Sequence, residues 1–291
     1  MILLDAKSFE DRCDTLLESR GISGHTAADR FCSDFKAYMF YFHYKGIGDA
    51  NHIMSLLEND DNLTDSNILN TNFRCSLNAL ISGPLRCDPL FMAIFPILMD
   101  NNGKGIGAAE LALPLIFSDY RFANKSDGVF GEDNKVEIKK NGASLKPVKS
   151  GVTHKGLVDT LNKKYFNGTQ PGMRDKKKFA AHIAEVKDSS VYADYFAELY
   201  VGCDTTELAA HVQVCYDDPE AFNTAVGEFA LAQYQSVDDW NNIIYIDHKK
   251  LEIVNIADTS DVSKLGLKFT PKFVRKGDTQ AIADGYVNVR I

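Results

Sequence analysis

Apolar residues recur at helical spacing over much of the first hundred positions. "DAKSFEDRCDTLLESRG" carries them three and four apart and stops at Gly21, so it predicts a helix. "GHTAADRFCSDFKAYMFYFHYKG" predicts a second, aromatic-rich helix closing at Gly46, and "DANHIMSLLEND" a third. "TDSNILNTNFRCSLNALISGP" predicts a fourth, broken at Gly83-Pro84. The stripe Phe35, Tyr38, Phe42 belongs to helix-packing core in this pattern. "LFMAIFPILM" is the longest apolar run; it is too short to span a bilayer and contains Pro96, so it is expected in the core.

Further on the pattern changes. The glycine-rich "NNGKGIGA" leads into "AELALPLIF", which reads as an apolar helix. Pro114 has no N–H for the carbonyl of Glu110, four residues earlier, so the backbone there should be loosened. "DGVF", "KVEIKK" and "SLKPV" then read as strands, separated by the turn chemistry of "GEDN" and "NG". "HKGLVDTLNKKYF" predicts a helix, "GTQPGMRD" a loop, and residues 176–235 a helical block broken at "YDDPE". From Trp240 the period is two: "NIIYIDHKKLEIVNI", "LGLKFTPKFVRKG" and "GYVNVRI" read as strands. The expected class is α+β. In chain order it has a helical N-terminal region (1–100), an α/β core (101–175), a helical insertion (176–235) and a β-rich C-terminal region (236–291).

Composition narrows the function classes. A chain of 291 residues with 45% hydrophobic and 25% charged residues is an ordinary globular protein, which excludes wholesale disorder. The opening "MILLDAKSFEDR" turns acidic within a few residues, so no signal peptide is expected there. The six cysteines are scattered without a CxxC pair, which points to reduced thiols and a cytoplasmic setting. His211, alone in an apolar stretch, reads as a packing residue. A net charge of −8 disfavours non-specific nucleic-acid binding. Contact with DNA would need local basic patches, of which "NKKYF", "RDKKKF", "DHKKL" and "KFVRKG" are candidates, or delivery by an assembly. Arg275 and Gln280, in the polar "RKGDTQAIADGY", are further candidate contacts in what reads as a connection between strands. Asp247-His248, at a strand end, reads as a turn signal before a catalytic pair.

The hairpin carries the sharpest chemistry. On "KVEIKK" as a strand, Glu137 and Lys139 share one face, while Val136 and Ile138 share the other. With "GEDN" as the turn, Asp127 lies almost opposite Glu137, about 4.5–5.5 Å away at Cα. Two facing carboxylates repel unless a cation sits between them. Mg²⁺ suits such a place: it prefers oxygen ligands and keeps waters. Lys139 would hold the attacking water or neutralise charge on a phosphate. Glu110 is the natural third carboxylate. The plainer account is a solvated surface hairpin.

"DGVFGEDNKVEIK" resembles the PD-(D/E)XK nuclease superfamily, the restriction-endonuclease-like fold, in which an Asp is followed after about ten residues by Glu-x-Lys on the next strand. Ser126 stands where the family often has Pro. The resemblance covers roughly residues 103–150. It implies a mixed-sheet core, with Glu110, Asp127 and Glu137 as ligands of Mg²⁺ or Mn²⁺ and Lys139 as the fourth catalytic residue. It also implies DNA as the partner, with no membrane. "HKGLVDTLNKKYF" and "NIIYID" would supply the further helix and strand that the family core needs. "EIKKNGASL" is similar to phage and restriction nucleases, which implies a phage-encoded DNA endonuclease in host cytoplasm or virion, as a homo-oligomer or part of a larger assembly. Two rivals stand beside it. One is a non-catalytic structural or adaptor protein, such as a virion component. The other is a nucleic-acid-binding module without catalysis. Convergence of Glu110, Asp127, Glu137 and Lys139 discriminates among them.

Overall fold

The computed structural model describes residues 2–22, 28–45, 49–101, 107, 109–123, 126–145, 205–213, 218–271, 274–276, 281–283 and 286–291. The chain forms two compact units. The first comprises 1–141, 240–258 and 291; the second comprises 142–239 and 259–290. Each unit therefore joins stretches far apart in sequence, cutting across the four consecutive regions expected.

In the first unit, α1 (Ile2–Ser19), α2 (Asp29–Lys45) and α3 (Ala50–Glu58) form where the periodicity places them. Gly21 follows α1 at φ 71°, a left-handed conformation that glycine adopts without strain. Asp49 caps α3 by accepting from the His52 N–H. Phe35 and Phe42 of the aromatic stripe are buried, and Tyr38 packs half-buried against the same core. The longest apolar run becomes α6 (Pro89–Met99), with Pro89 in its first turn. Asp88 caps it, accepting from the N–H groups of Leu90 and Phe91 at 2.9 Å. Among the described residues no helix is long and apolar enough to cross a membrane.

The expected fourth helix does not form. Its segment breaks into β1 (Thr64–Asp65), a 3₁₀ turn, β2 (Phe73–Ser76) and two short helices, α4 (Leu77–Leu80) and α5 (Gly83–Cys87). The causes are a local cap and long-range pairing. Asp65 accepts from the Asn67 N–H, and the Asn72 side chain accepts from the N–H groups of Ala257 and Asp258, tying the chain to a neighbouring strand. "FRCS" then alternates: Phe73 and Cys75 lie half-buried against the core while Arg74 and Ser76 are exposed.

"AELALPLIF" also departs from expectation. It runs as successive tight turns and a 3₁₀ turn, Leu113–Leu115, and ends in β3 (Phe117–Ser118). Almost every residue is buried, so apolarity without period marks a buried segment of any type. Its backbone is satisfied by short-range bonds, Ala112 and Leu113 N–H to the Ala109 carbonyl and Ile116 N–H to the Leu113 carbonyl.

The first unit is built on a six-stranded mixed sheet. Its remaining strands are β4 (Tyr120–Ala123), β5 (Ser126–Phe130), β6 (Asn134–Lys140), β8 (Asn242–Asp247) and β9 (Glu252–Ile256); β7 (Ser144–Leu145) belongs to the second unit. The spatial order is β2-β9-β8-β6-β5-β4. β4, β5 and β6 form an antiparallel meander, and β8 then runs parallel to β6. "NIIYID" therefore supplies the strand next to the Glu-x-Lys strand. Val136, Ile138, Ile244 and Ile246 pack into one core with the N-terminal helices.

In the second unit, α7 (Thr205–Gln213) and α8 (Pro219–Asp238) fall within the expected helical block. "YDDPE" is the break, with Asp218 capping α8 and Pro219 opening it. β10 (Lys268–Pro271), β13 (Val287–Arg290) and β7 form an antiparallel sheet. Val287 and Val289 are buried and Arg290 exposed, the alternation read from the sequence. Gly227 of α8 abuts Phe269, whose ring a Cβ there would strike at 2.0 Å. "RKGDTQAIADGY" is more than a connection: β11 (Val274–Lys276) pairs with β12 (Ala281–Ala283). Residues 146–204, with the patches "NKKYF" and "RDKKKF" and the first part of the expected helical block, Gln280, and the side chains of Arg275 and His211 lie outside the described residues.

Candidate active site

The β5–β6 turn begins at Gly131, whose φ of 61° a residue with a side chain would adopt with strain. The register runs Phe130↔Asn134, Val129↔Lys135 and Gly128↔Val136; one step further sets Asp127 against Glu137. At that step an Asp127 carboxylate oxygen accepts from the Ile138 backbone N–H at 2.6 Å. The hairpin so holds Asp127 and Glu137 side by side, and the two carboxyls also hydrogen-bond each other. Glu137 is 6% exposed, which no solvated hairpin explains.

Lys139, two residues along the same face, forms an ion pair with Glu137 Oε1. Its neighbour across the parallel ladder is Tyr245, as Ile243 is that of Glu137.

Glu110 comes from the buried turn. Ala109 before it takes φ 76°, a left-handed conformation rare for a residue with a Cβ. The Ala109 N–H is anchored on the Met99 carbonyl at 2.8 Å. Glu110 Oε1 accepts from the Gly107 N–H at 2.5 Å. A Cβ at Gly107 would lie 2.5 Å from that oxygen, so a side chain there would push the carboxylate from its present place. The helix expected to carry Glu110 is replaced by a strained turn, yet the side chain reaches the same neighbourhood. Asp127, Glu137 and Lys139 all act on it electrostatically.

Burial pushes the Glu110 carboxyl up to about 8, helped by Asp127 and Glu137 and opposed by the Gly107 N–H and Lys139. Burial likewise raises Asp127 to about 7, with Glu137 adding to it and the Ile138 N–H and Lys139 opposing. These acids are held in one low-dielectric place where they cannot all ionise together without a compensating cation.

Two phenols were not singled out from the sequence. Tyr120 and Tyr245 are fully buried, and neither hydroxyl has a hydrogen-bond partner among the described residues. Burial holds both well above the usual tyrosine range, with Asp127 and Glu110 adding to it for Tyr120 and Glu137 for Tyr245. Tyr120 reaches over Gly128, where a Cβ would fall 2.1 Å from its hydroxyl. The alternation of "NIIYID" sets Ile243 and Tyr245 on one face; that this face is shared with Lys139 emerges only from the parallel register.

Glu110, Asp127 and Glu137 are the residues that could hold a metal. Their donor set is all carboxylate oxygen, suited to a hard cation such as Mg²⁺ or Mn²⁺. Among the described residues no three His, Cys, Asp or Glu side chains are arranged to hold a metal ion as they stand. Each acid is instead engaged by the chain: Glu110 by Gly107, Asp127 by Ile138 and Glu137 by Lys139. Asp247-His248 is a turn, as read: Asp247 Oδ1 accepts from the N–H groups of Lys249 and Lys250 at 3.0 and 3.2 Å. His248 lies 3.9 Å from Asp100.

No family model, curated protein or solved structure matches the chain.

Proposed function

We propose that this protein is a divalent-cation-dependent DNA endonuclease of the restriction-endonuclease-like type, with Glu110, Asp127 and Glu137 as ligands of Mg²⁺ or Mn²⁺ and Lys139 as the partner of water and phosphate. The observation that carries the reading is the acidic cluster: Glu110 and Glu137 buried, Asp127 half-buried beside Glu137, two of the carboxyls raised towards or above neutrality, and Lys139 paired with Glu137. A solvated hairpin leaves its acids in water, whereas a cation site gathers several of them out of it. The β4–β5–β6 meander with "NIIYID" as a further strand beside β6 supports it, since the resemblance asks for another strand.

A cation bound here would polarise a phosphoryl oxygen and lower the pKa of a bound water. The chain supplies the rest. Gly107 and the Ile138 N–H aim the Glu110 and Asp127 carboxylates. Protons held by Glu110 and Asp127 would pass to solvent as a cation bound. Lys139, released from Glu137, neutralises charge developing on the phosphate or steadies the attacking water. The acidic chain fits an enzyme delivered to DNA within an assembly, in a phage setting, better than one that finds DNA alone.

Cleavage of plasmid and linear DNA with Mg²⁺ or Mn²⁺, beside EDTA, tests this against Glu137→Ala and Lys139→Ala. Metal-dependent cutting by the wild type, lost in both variants, is expected. An inert wild type that also binds no metal would transfer the hairpin to a structural or adaptor role.

A further inference from the structure

A cation on Glu137 would weaken the hold of that carboxylate on Lys139. The ammonium and the metal ion would share one carboxylate, and like charges that close repel. The Lys139 side chain is 23% exposed, and a replacement partner can come from the sheet itself. The neighbouring strand offers one. Tyr245 is the register partner of Lys139 across β6 and β8, so its side chain lies alongside on the same face. It is fully buried, its hydroxyl has no partner among the described residues, and burial together with Glu137 keeps the phenol protonated. An unpaired buried hydroxyl costs free energy. Here it belongs to the strand position next to Lys139.

We infer that Tyr245 is a positioning residue: its hydroxyl oxygen receives the Lys139 ammonium when a divalent cation takes Glu137, and so holds the lysine beside the reacting phosphate. This rests on the cation-site reading above. The phenol oxygen has lone pairs to accept from the ammonium and keeps its own proton to donate to a water. Without it, Lys139 would remain on Glu137 and compete with the cation.

The test is Mg²⁺ binding by calorimetry, with melting temperature measured beside it. Tyr245→Phe removes only the unpaired hydroxyl, so the melting temperature should hold or rise. Mg²⁺ affinity should fall about tenfold, as for other residues that support metal ligands from outside. The decisive arm is the double variant. With Lys139→Gln no ammonium remains to be placed, so Tyr245→Phe should have no further effect. Unchanged Mg²⁺ affinity in Tyr245→Phe would overturn the inference, as would a loss that persists undiminished on Lys139→Gln, while leaving the nuclease reading intact. A wild type that binds no Mg²⁺ would overturn both.

Discussion

Two buried polar groups in the same sheet are treated in opposite ways. Asn242 on β8 and Asn255 on β9 are 2% and 0% exposed. Asn242 donates to the Leu69 carbonyl and to the Asn255 side-chain oxygen, and Asn255 donates to the carbonyls of Leu69 and Thr71. Both amides spend both donors on fixed partners, so their polarity ties the 66–71 turn to the sheet. The acidic cluster is the reverse. Two of its carboxyls are driven to about 8 and about 7, and two phenols beside it have unpaired hydroxyls. The amide pair is neutral and fully paired, whereas the acids are crowded against one another and lie near two hydroxyls that have no partner among the described residues.

The largest expected effect breaks the cluster's chemistry. Glu137→Ala or Lys139→Ala should lower the rate of metal-dependent DNA cleavage by about 10³-fold or more, read from initial rates on plasmid, since each removes charge stabilisation at the reacting phosphate.

The second prediction sets the two regions against each other through stability. Asn255→Ala should destabilise the protein by about 2–3 kcal/mol, because it takes the acceptor from a buried Asn242 N–H and the donor from the Thr71 carbonyl. Glu110→Gln should stabilise the metal-free protein at pH 8 by about 1–3 kcal/mol, because it removes a buried acid that resists ionisation. Denaturant unfolding in EDTA measures both, and two changes of the same sign would erase the contrast.

The pH dependence sharpens it. Glu110 and Asp127 have folded pKa values above their ordinary ones, so the folded state holds the extra protons. Their contribution to stability is complete below about pH 4 and is lost as pH rises through about 7 to 8. Asp247 has the opposite sign. Burial works against its charge, but hydrogen bonds from Asn141, Lys250 and Lys249 outweigh it and hold the carboxyl below its usual value. Its contribution is present above the ordinary carboxylate range and is lost as pH falls below it. Melting temperatures of metal-free wild type should therefore decline from pH 5 to pH 8.5, and the decline should flatten in Glu110→Gln.

Much of this was legible in the sequence, and for identifiable reasons. Helices α1 to α3 have strong periodicity and clean stops, and β13 has strict alternation. The Asp127–Glu137–Lys139 face follows from a short turn and the pleat of a strand, both local properties. What was misread is tertiary in origin. Residues 64–84 look helical by their apolar spacing, yet "FRCS" is claimed by β9 and the Asn72 side chain bonds two N–H groups beyond it. The segment around Glu110 is apolar at nearly every position, a pattern that fits helix and buried turn alike. Pro114 was the available signal that a helix would fail there. Tyr245 was hidden because alternation gives the two faces of a strand but not which one meets Lys139.

The smallest predicted effect lies away from the cluster. Asp88→Ala should cost about 1 kcal/mol in global stability, the usual worth of an N-cap, with no change in Mg²⁺ affinity.

The central claim is that the buried acids form a cation site, and a calorimetric titration of the wild type with Mn²⁺ or Mg²⁺ at pH 7, in buffers of different ionisation enthalpy, tests it most directly. Glu110 at about 8 and Asp127 at about 7 hold protons at that pH, so binding should release about one to two of them. The release should shrink towards zero by pH 9, and both binding and release should vanish in Glu137→Ala. Binding without proton release, or no binding at either pH, would contradict the account.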